Sequence, residues 1–441
     1  MINFVYLKSG GFFRMNHGNK WALLPFLIFI LLFIGSGLLT KDFTAMPLNM
    51  AVGIACIAAF VMNRRDGTEK KLEVFLKGAG NKDVMLMVLI FLLAGAFSSV
   101  AKEMGAVEST VNLGLTYLPQ NFLLVGLFII GCLISLSMGT SMGTVVALSP
   151  IGVGIAEATE ISVALTMATV VGGAMFGDNL SVISDTTIAA VRTQGTDMRD
   201  KFKVNFWIVL PAAVVTAIII GILTAGNSHA LKNSYDYSIL SIIPYIIVLV
   251  AAIIGVDVII VLLGGIIVSF AIGLINGSLS FLSFVEAASK GIAGMEDIAI
   301  IAVLISGLVA LIQHAGGIDF LLTFISKRIR SKKGAEFGIA SLVSVTDIST
   351  ANNTIAILMT GPLAKKIADQ YEVDPRKSAS LLDIFASVWQ GFVPYSPQLL
   401  AAASVAGIST VSIMFYSFYP ILMAICAVGA ILIGYPRLKK K

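Results

Sequence analysis

The sequence predicts an all-α polytopic membrane protein, and three observations carry that. The 441 residues are 57% hydrophobic and only 12% charged, whereas about a quarter of a soluble domain is charged. Mean hydropathy is +0.94. Apolar runs of span length recur along the whole chain, with the cations placed between them.

A span needs roughly 20 mostly apolar residues. Eight uninterrupted runs approach that length: 21–40, 47–62, 84–104, 205–224, 239–255, 257–275, 297–314 and 411–434. The first, from Trp21 to Leu39, is too long for a signal-peptide core and shows no clear cleavage pattern, so it reads as a retained span. Three other regions, 121–156, 161–192 and 337–407, are apolar but interrupted by polar clusters. Within hydrocarbon, broken helices survive only where protein or a watery cavity receives the freed backbone groups. These interruptions predict re-entrant hairpins at 121–156 and 337–362, and broken helices at 161–192 and 378–407. Cys56, Cys132 and Cys426 lie in apolar runs at unrelated spacings, as small buried hydrophobes rather than a disulfide or zinc framework.

The basic residues set the orientation. They cluster at 63–83, 192–203, 326–333 and 365–377, in the tail 435–441, and in the arm 1–20. With both termini cytoplasmic and each hairpin entering and leaving on one side, 26 of the 30 cations lie inside. That is the positive-inside pattern, in about 10 crossings. It accounts for the net charge of +5 without a nucleic-acid partner; the lipid bilayer is the surrounding phase.

The chain also resembles itself. SMGTVVALSPIGVGIAEATE (141–160) aligns with ANNTIAILMTGPLAKKIADQ (351–370), GAFSSVAKEMGAV with GLVALIQHAGGID, and the stretch from Gly177 with GFVPYSPQLLAAA. This predicts two repeats, 21–225 and 239–434. Each half crosses five times, so the second begins on the opposite side. Inverted repeats of this kind place a transport site near the midplane between discontinuous helices. In this alignment Phe392 and Leu399 stand opposite the two acids of the first repeat.

Four polar clusters mark candidate sites. SMGTSMGT (137–144) and TDISTANNT (346–354) read as hairpin tips. Gly139, Thr140, Ser141 and Thr144 in one, and Ser349, Thr350, Asn352, Asn353 and Thr354 in the other, offer oxygens suited to a hard cation. Half-helix N-termini there would favour a substrate carboxylate. GDNLSVISDTT (177–187) and WQGFVPYSPQ (389–398) read as helix breaks, with Gly177 and Gly391 ending half-helices. Intramembrane acids are rare and functional, which singles out Asp178, Asp185, Asp347 and Asp383. Asp178 is expected at the break, with Asp185 near the same helical face. Trp389, Gln390, Tyr395 and Ser396 are candidate pocket-lining residues. His314 reads as a structural polar contact.

GDNLSVISDTT resembles the GD-(K/N)-LSP-(L/I)-SDTT signature of the NhaC family of Na+/H+ antiporters, and GTSMGT resembles that family's GTSWGT. The resemblance runs in order over most of the chain. It implies a prokaryotic inner-membrane secondary transporter, within a superfamily that uses paired re-entrant hairpins, and it allows a homodimer. It points to Gly177, Asp178, Asn179, Ser181, Ser184, Asp185, Thr186 and Thr187, with Na+ at Asp178 and Asp185, and to Gly139, Thr140, Ser141 and Thr144. Val182 stands where Pro is usual, Asn179 where Lys is common, and Met142 where Trp is common. The missing Lys removes a charge beside the site.

Na+/H+ antiport is therefore expected, with Na+ and H+ as cargo and no cofactor. The alternative is Na+- or H+-coupled transport of a small organic acid or amino acid. A channel would need a continuous polar path. An enzyme is not expected, since the sequence shows no Ser/His/Asp set, HExxH or P-loop.

Overall fold

The apolar runs become helices, and two long runs of them repeat one order of elements. The computed structural model describes residues 18–40, 45–62, 66–117, 120–159, 161–182, 184–225, 236–254 and 256–436. The arm 1–17 and the tail 437–441 lie outside the described residues. Helix α1 spans Lys20–Thr40. It is followed by α2 (Leu48–Met62), α3 (Thr68–Ala79), α4 (Lys82–Glu103) and α5 (Ala106–Tyr117). Then come α6 (Gln120–Met138), α7 (Ser141–Thr159), α8 (Val163–Leu180), α9 (Asp185–Gln194) and α10 (Met198–Thr224). The second half holds α11 (Ile239–Ile253), α12 (Val258–Ile275), α13 (Phe281–Ala293), α14 (Glu296–His314) and α15 (Gly317–Ser326). It ends with α16 (Lys332–Thr350), α17 (Asn353–Gln370), α18 (Pro375–Gln390), α19 (Pro397–Ala406), α20 (Thr410–Met414) and α21 (Phe418–Ile433). Among the described residues there is no strand.

The starts of α6 to α10 and of α16 to α20 are each 212 residues apart. Pro150 inside α7 and Pro362 inside α17 keep that offset. So do the left-handed residues at the two hairpin turns, Gly139 (φ 68°) and Ala351 (φ 50°). The structural register corrects the sequence alignment at the breaks: Asp178 corresponds to Gln390 and Asp185 to Pro397, not to Phe392 and Leu399. The two breaks differ in length, four residues at 181–184 against six at 391–396, because α8 runs two residues further than α18.

Among the described residues, seven helical stretches are long and apolar enough to cross a membrane, and six shorter ones are apolar. The least apolar lie deepest. The 18-residue windows of Ser141–Thr159 and Val163–Gln194 are 83% buried, while those of Met198–Thr224 and Val258–Ile275 are 33% buried. The physical reason is the solvent: lipid contacts exposed Leu, Ile and Val at no cost, so small and polar residues are left for the interior. Trp207, Ile218, Ile222, Ile260 and Ile267 accordingly face outward.

Four stretches outside the expected spans are helical: α3, α5, α13 and α15. The basic stretch 63–83 contains α3, which packs against α14. Lys71 is buried and donates to the Phe60 carbonyl (2.6 Å), and Ser306 donates to the Gly78 carbonyl (2.8 Å). Its counterpart α13 packs against α4 in the same way, and α15 follows α14 as α5 follows α4. The span expected at 411–434 is two helices, α20 and α21, separated by a turn. His314 Nε2 lies 3.1 Å from Asp66 Oδ2, a polar contact between α14 and the segment leading into α3.

Candidate functional site

Two helix–turn–helix hairpins, α6–α7 and α16–α17, meet two interrupted helices, α8–α9 and α18–α19. Each hairpin reaches the interrupted helix of the other half: α7 packs on α19 and α17 on α9. The start of α9 therefore faces the start of α17, and the start of α19 faces the start of α7.

The first interruption falls later than the sequence suggested. Helix α8 continues through Asp178 and Asn179 to Leu180, and the chain is non-helical at Ser181 and Ser184. Gly177 does not end the helix. It lets α8 press on α6: a Cβ there would lie 2.4 Å from the Cys132 carbonyl and 2.5 Å from the Leu136 amide. Gly391 does cap α18, as expected.

Asp178 is 2% exposed. Its Oδ2 accepts from Ser141 Oγ (2.8 Å) and its Oδ1 from Ser184 Oγ (2.6 Å). Ser184 Oγ lies 2.8 Å from Thr186 Oγ1, and Gln398 Nε2 of α19 donates to Ser141 Oγ (3.1 Å). One hairpin tip, both sides of the first break and the start of α19 thus converge on a single carboxylate.

Asp185 is placed differently. Because the chain breaks between them, the two acids do not share one helical face. Asp185 is exposed; its Oδ2 accepts from Thr354 Oγ1 of the other hairpin (2.6 Å) and its Oδ1 from the Thr186 amide (2.9 Å).

Most other hairpin hydroxyls turn back on their own chain. Thr144 Oγ1 donates to the Thr140 carbonyl, Ser349 Oγ to Val345 and Thr350 Oγ1 to Asn352. Thr140 Oγ1 accepts from the Gly143 amide, Asn352 Oδ1 caps α17 through the Ile355 amide, and Asn353 Oδ1 accepts from Thr354. Such local bonds satisfy freed backbone groups at helix ends. Of the candidate tip residues, Ser141 and Thr354 reach across to acids.

Asp383 lies on α18, buried, beside a group that the sequence had assigned to a cytoplasmic loop. Lys201, in the first turn of α10, is 1% exposed and forms an ion pair with Asp383. Its Nζ also donates to the Asn179 carbonyl (2.6 Å) and to Thr187 Oγ1 (2.8 Å). Asn179 Nδ2 donates to Asp383 (3.1 Å) and to Ser387 Oγ (3.2 Å). Asn205 Nδ2 bonds the Asn179 carbonyl (3.1 Å) and Asp383 (3.3 Å), while its own Oδ1 accepts from Ser380. A cation therefore does stand beside Asn179, supplied from α10. The missed signal is positional: Lys201 and Asn205 are four apart on the stripe of α10 that buries Ile208, Val209 and Ala212. Ser380, Asp383 and Ser387 share such a stripe on α18.

Asp347 is buried within α16, one turn before its end, so it is not a cap. Gln390 Nε2 donates to its Oδ1 (2.9 Å), and its Oδ2 has no hydrogen-bond partner. Tyr395 packs on Phe26 and Phe29 and donates to the Ile348 carbonyl (2.7 Å). Trp389 is half-buried against Phe392, and Ser396 caps α19. A shallow cleft opens beside this second tip, lined by Thr350, Asn352 and Tyr395 and by residues of α4 and α14.

The model of the Na+/H+ antiporter family matches residues 19–226 and 228–436, the two stretches that the helix order separates. The chain belongs to the Na+/H+ antiporter family. It is 24% identical to the malate-2H(+)/Na(+)-lactate antiporter of Bacillus subtilis, over 94% of this chain and 96% of that one. It is 24% identical to the Na(+)/H(+) antiporter NhaC of Alkalihalophilus pseudofirmus, over 79% and 81%. With the arginine/ornithine antiporter ArcD of Halobacterium salinarum it shares 21% identity, over 92% and 90%. In this member of the family Asp178 lies beside a helix interruption, and the most exposed helices carry the strongest hydropathy.

Proposed function

We propose that the protein is a Na+/H+ antiporter working by alternating access, with Na+ and H+ competing for Asp178. The observation that carries this reading is the carboxylate itself: it is buried, and hydroxyls hold both its oxygens. A buried carboxylate without water is costly unless neutralised, by a proton or by a cation. Ser141, Ser184 and Thr186 add oxygen donors suited to Na+. Each neutralising partner relieves the same charge, so one leaves as the other arrives.

The inverted-repeat reading of 21–225 and 239–434 supports alternation. Each hairpin contacts the break of the opposite half, so movement of one half against the other would remake both contacts. A place in the inner membrane with both termini cytoplasmic, and re-entrant rather than spanning hairpins, belongs to the same proposal.

A second reading is coupled exchange of a small organic acid or amino acid. The organic cargoes named for two relatives favour it. One experiment separates the readings. Proteoliposomes receive a Na+ pulse while lumenal pH is followed, with and without a panel of dicarboxylates, lactate and amino acids. Proton flux with Na+ alone is the expected result. Flux that requires an organic solute would replace the first reading by the second.

A further inference from the structure

We propose that Lys201 is a tethered cation that sets the charge a transported ion meets at Asp178. Its Nζ is surrounded by oxygens from three elements: the Asn179 carbonyl on α8, Thr187 Oγ1 on α9 and the Asp383 carboxylate on α18. Carbonyl, hydroxyl and carboxylate form the donor set of a hard cation. Here an ammonium from the chain fills it.

Its position is electrostatically pointed. The Asn179 carbonyl belongs to the last turn of α8, where carbonyls lose helical partners and the helix dipole is negative. Asn179 follows Asp178 directly, so this fixed positive charge sits next to the candidate Na+ carboxylate. Around Asn179 the fold thus brings together two buried carboxylates, Asp178 of α8 and Asp383 of α18, and one buried ammonium, Lys201 of α10. Asp383 is matched by Lys201. Asp178 is left as the unit of negative charge that one monovalent ion neutralises.

The two members of the pair therefore act on Na+ with opposite signs. Removing Lys201 bares the Asp383 charge and strengthens cation binding. Removing Asp383 bares the ammonium and weakens it. A merely structural ion pair predicts loss in both cases, because either change leaves an unpaired buried charge.

This inference rests on the Na+ reading of Asp178. The test measures Na+ affinity of purified protein in nanodiscs from the Na+-dependent rise of its unfolding temperature, a readout independent of transport. Four proteins are compared: wild type, Lys201→Met, Asp383→Asn and the double variant. Lys201→Met should tighten Na+ binding by about tenfold or more, and Asp383→Asn should weaken it as much. The double variant should fall between them, within about threefold of wild type. Single shifts of the same sign would overturn the proposal. If a single variant fails to fold, the double variant decides, since it leaves no unpaired charge: a loss of about tenfold or more there overturns the proposal. Wild-type protein that binds no Na+ would remove the antiport reading and this proposal together, whereas wild-type binding with same-sign shifts removes this proposal alone.

Discussion

Ser141 Oγ lies 2.8 Å from Asp178 Oδ2 and joins a hairpin tip to a buried carboxylate 37 residues away in the chain. The contact ties the position of the hairpin to the charge state of the acid. A neutral Asp178 loses part of that bond's strength, since bonds to charged groups are worth about 1.5–3 kcal/mol and neutral ones roughly half that. Asp178→Asn should abolish Na+-driven proton flux in proteoliposomes while the purified protein remains folded. Ser141→Ala should weaken apparent Na+ affinity about tenfold, matching the loss of one charge-assisted bond. Wild-type flux in Asp178→Asn would remove the carboxylate from the site.

Asp185 and Thr354 form one hydrogen bond across the halves, at 2.6 Å. Because Asp185 is exposed, its contribution is the bond rather than a dry charge. Asp185→Asn and Thr354→Val should each slow transport roughly three- to tenfold, about the worth of one such bond. The double variant should be no slower than the worse single, because both remove the same interaction. Multiplying effects in the flux assay would show that Asp185 acts separately, as an ion ligand.

Ala351 occupies the left-handed region at φ 50°, where the matching turn of the first half has Gly139. A Cβ in that region costs about 1–2 kcal/mol, and glycine gives back part of this as unfolded-state entropy. Ala351→Gly should therefore stabilise the protein by roughly 1 kcal/mol, seen as a rise of a few degrees in unfolding temperature. Gly139→Ala should do the reverse. A fall in stability for Ala351→Gly would mean that the turn is held by something other than its backbone geometry.

Much of the fold was legible because lipid imposes a one-dimensional rule. Long apolar runs such as 205–224 had to be helical, and the polar interruptions had to be received by protein. The hairpins and breaks were visible for the same reason, though with shifted limits: α16 starts at Lys332 and α18 at Pro375, before the apolar stretches begin. Capping set those starts, through Ser331 and Asp374, and caps lie outside any hydropathy pattern. Helix α3 was hidden in a basic segment because its apolar residues cover only one face of a short helix.

The partners within the site were less legible. Asp178 and Ser141 both stand out in the sequence, but nothing in their spacing says that they touch. In the sequence Lys201 stands among loop cations, yet it lies buried against Asp383, 182 residues later in the chain. A similar case is Lys377, which bonds Glu336 at 2.7 Å with both side chains buried. Charge placement along a sequence reports which side of the membrane a segment occupies, not whether a particular cation turns inward.

By itself the sequence determined the solvent, the helical class, the two matching halves and the segments where polar chemistry could lie, since each follows from composition and order along the chain. Tertiary structure decided which acid is buried, where the helix breaks, and which charge is matched. The physical reason is that burial and pairing depend on what the opposite half brings: Gln398 to Ser141, Thr354 to Asp185 and Asp383 to Lys201. Those contacts exist only once the two halves have packed.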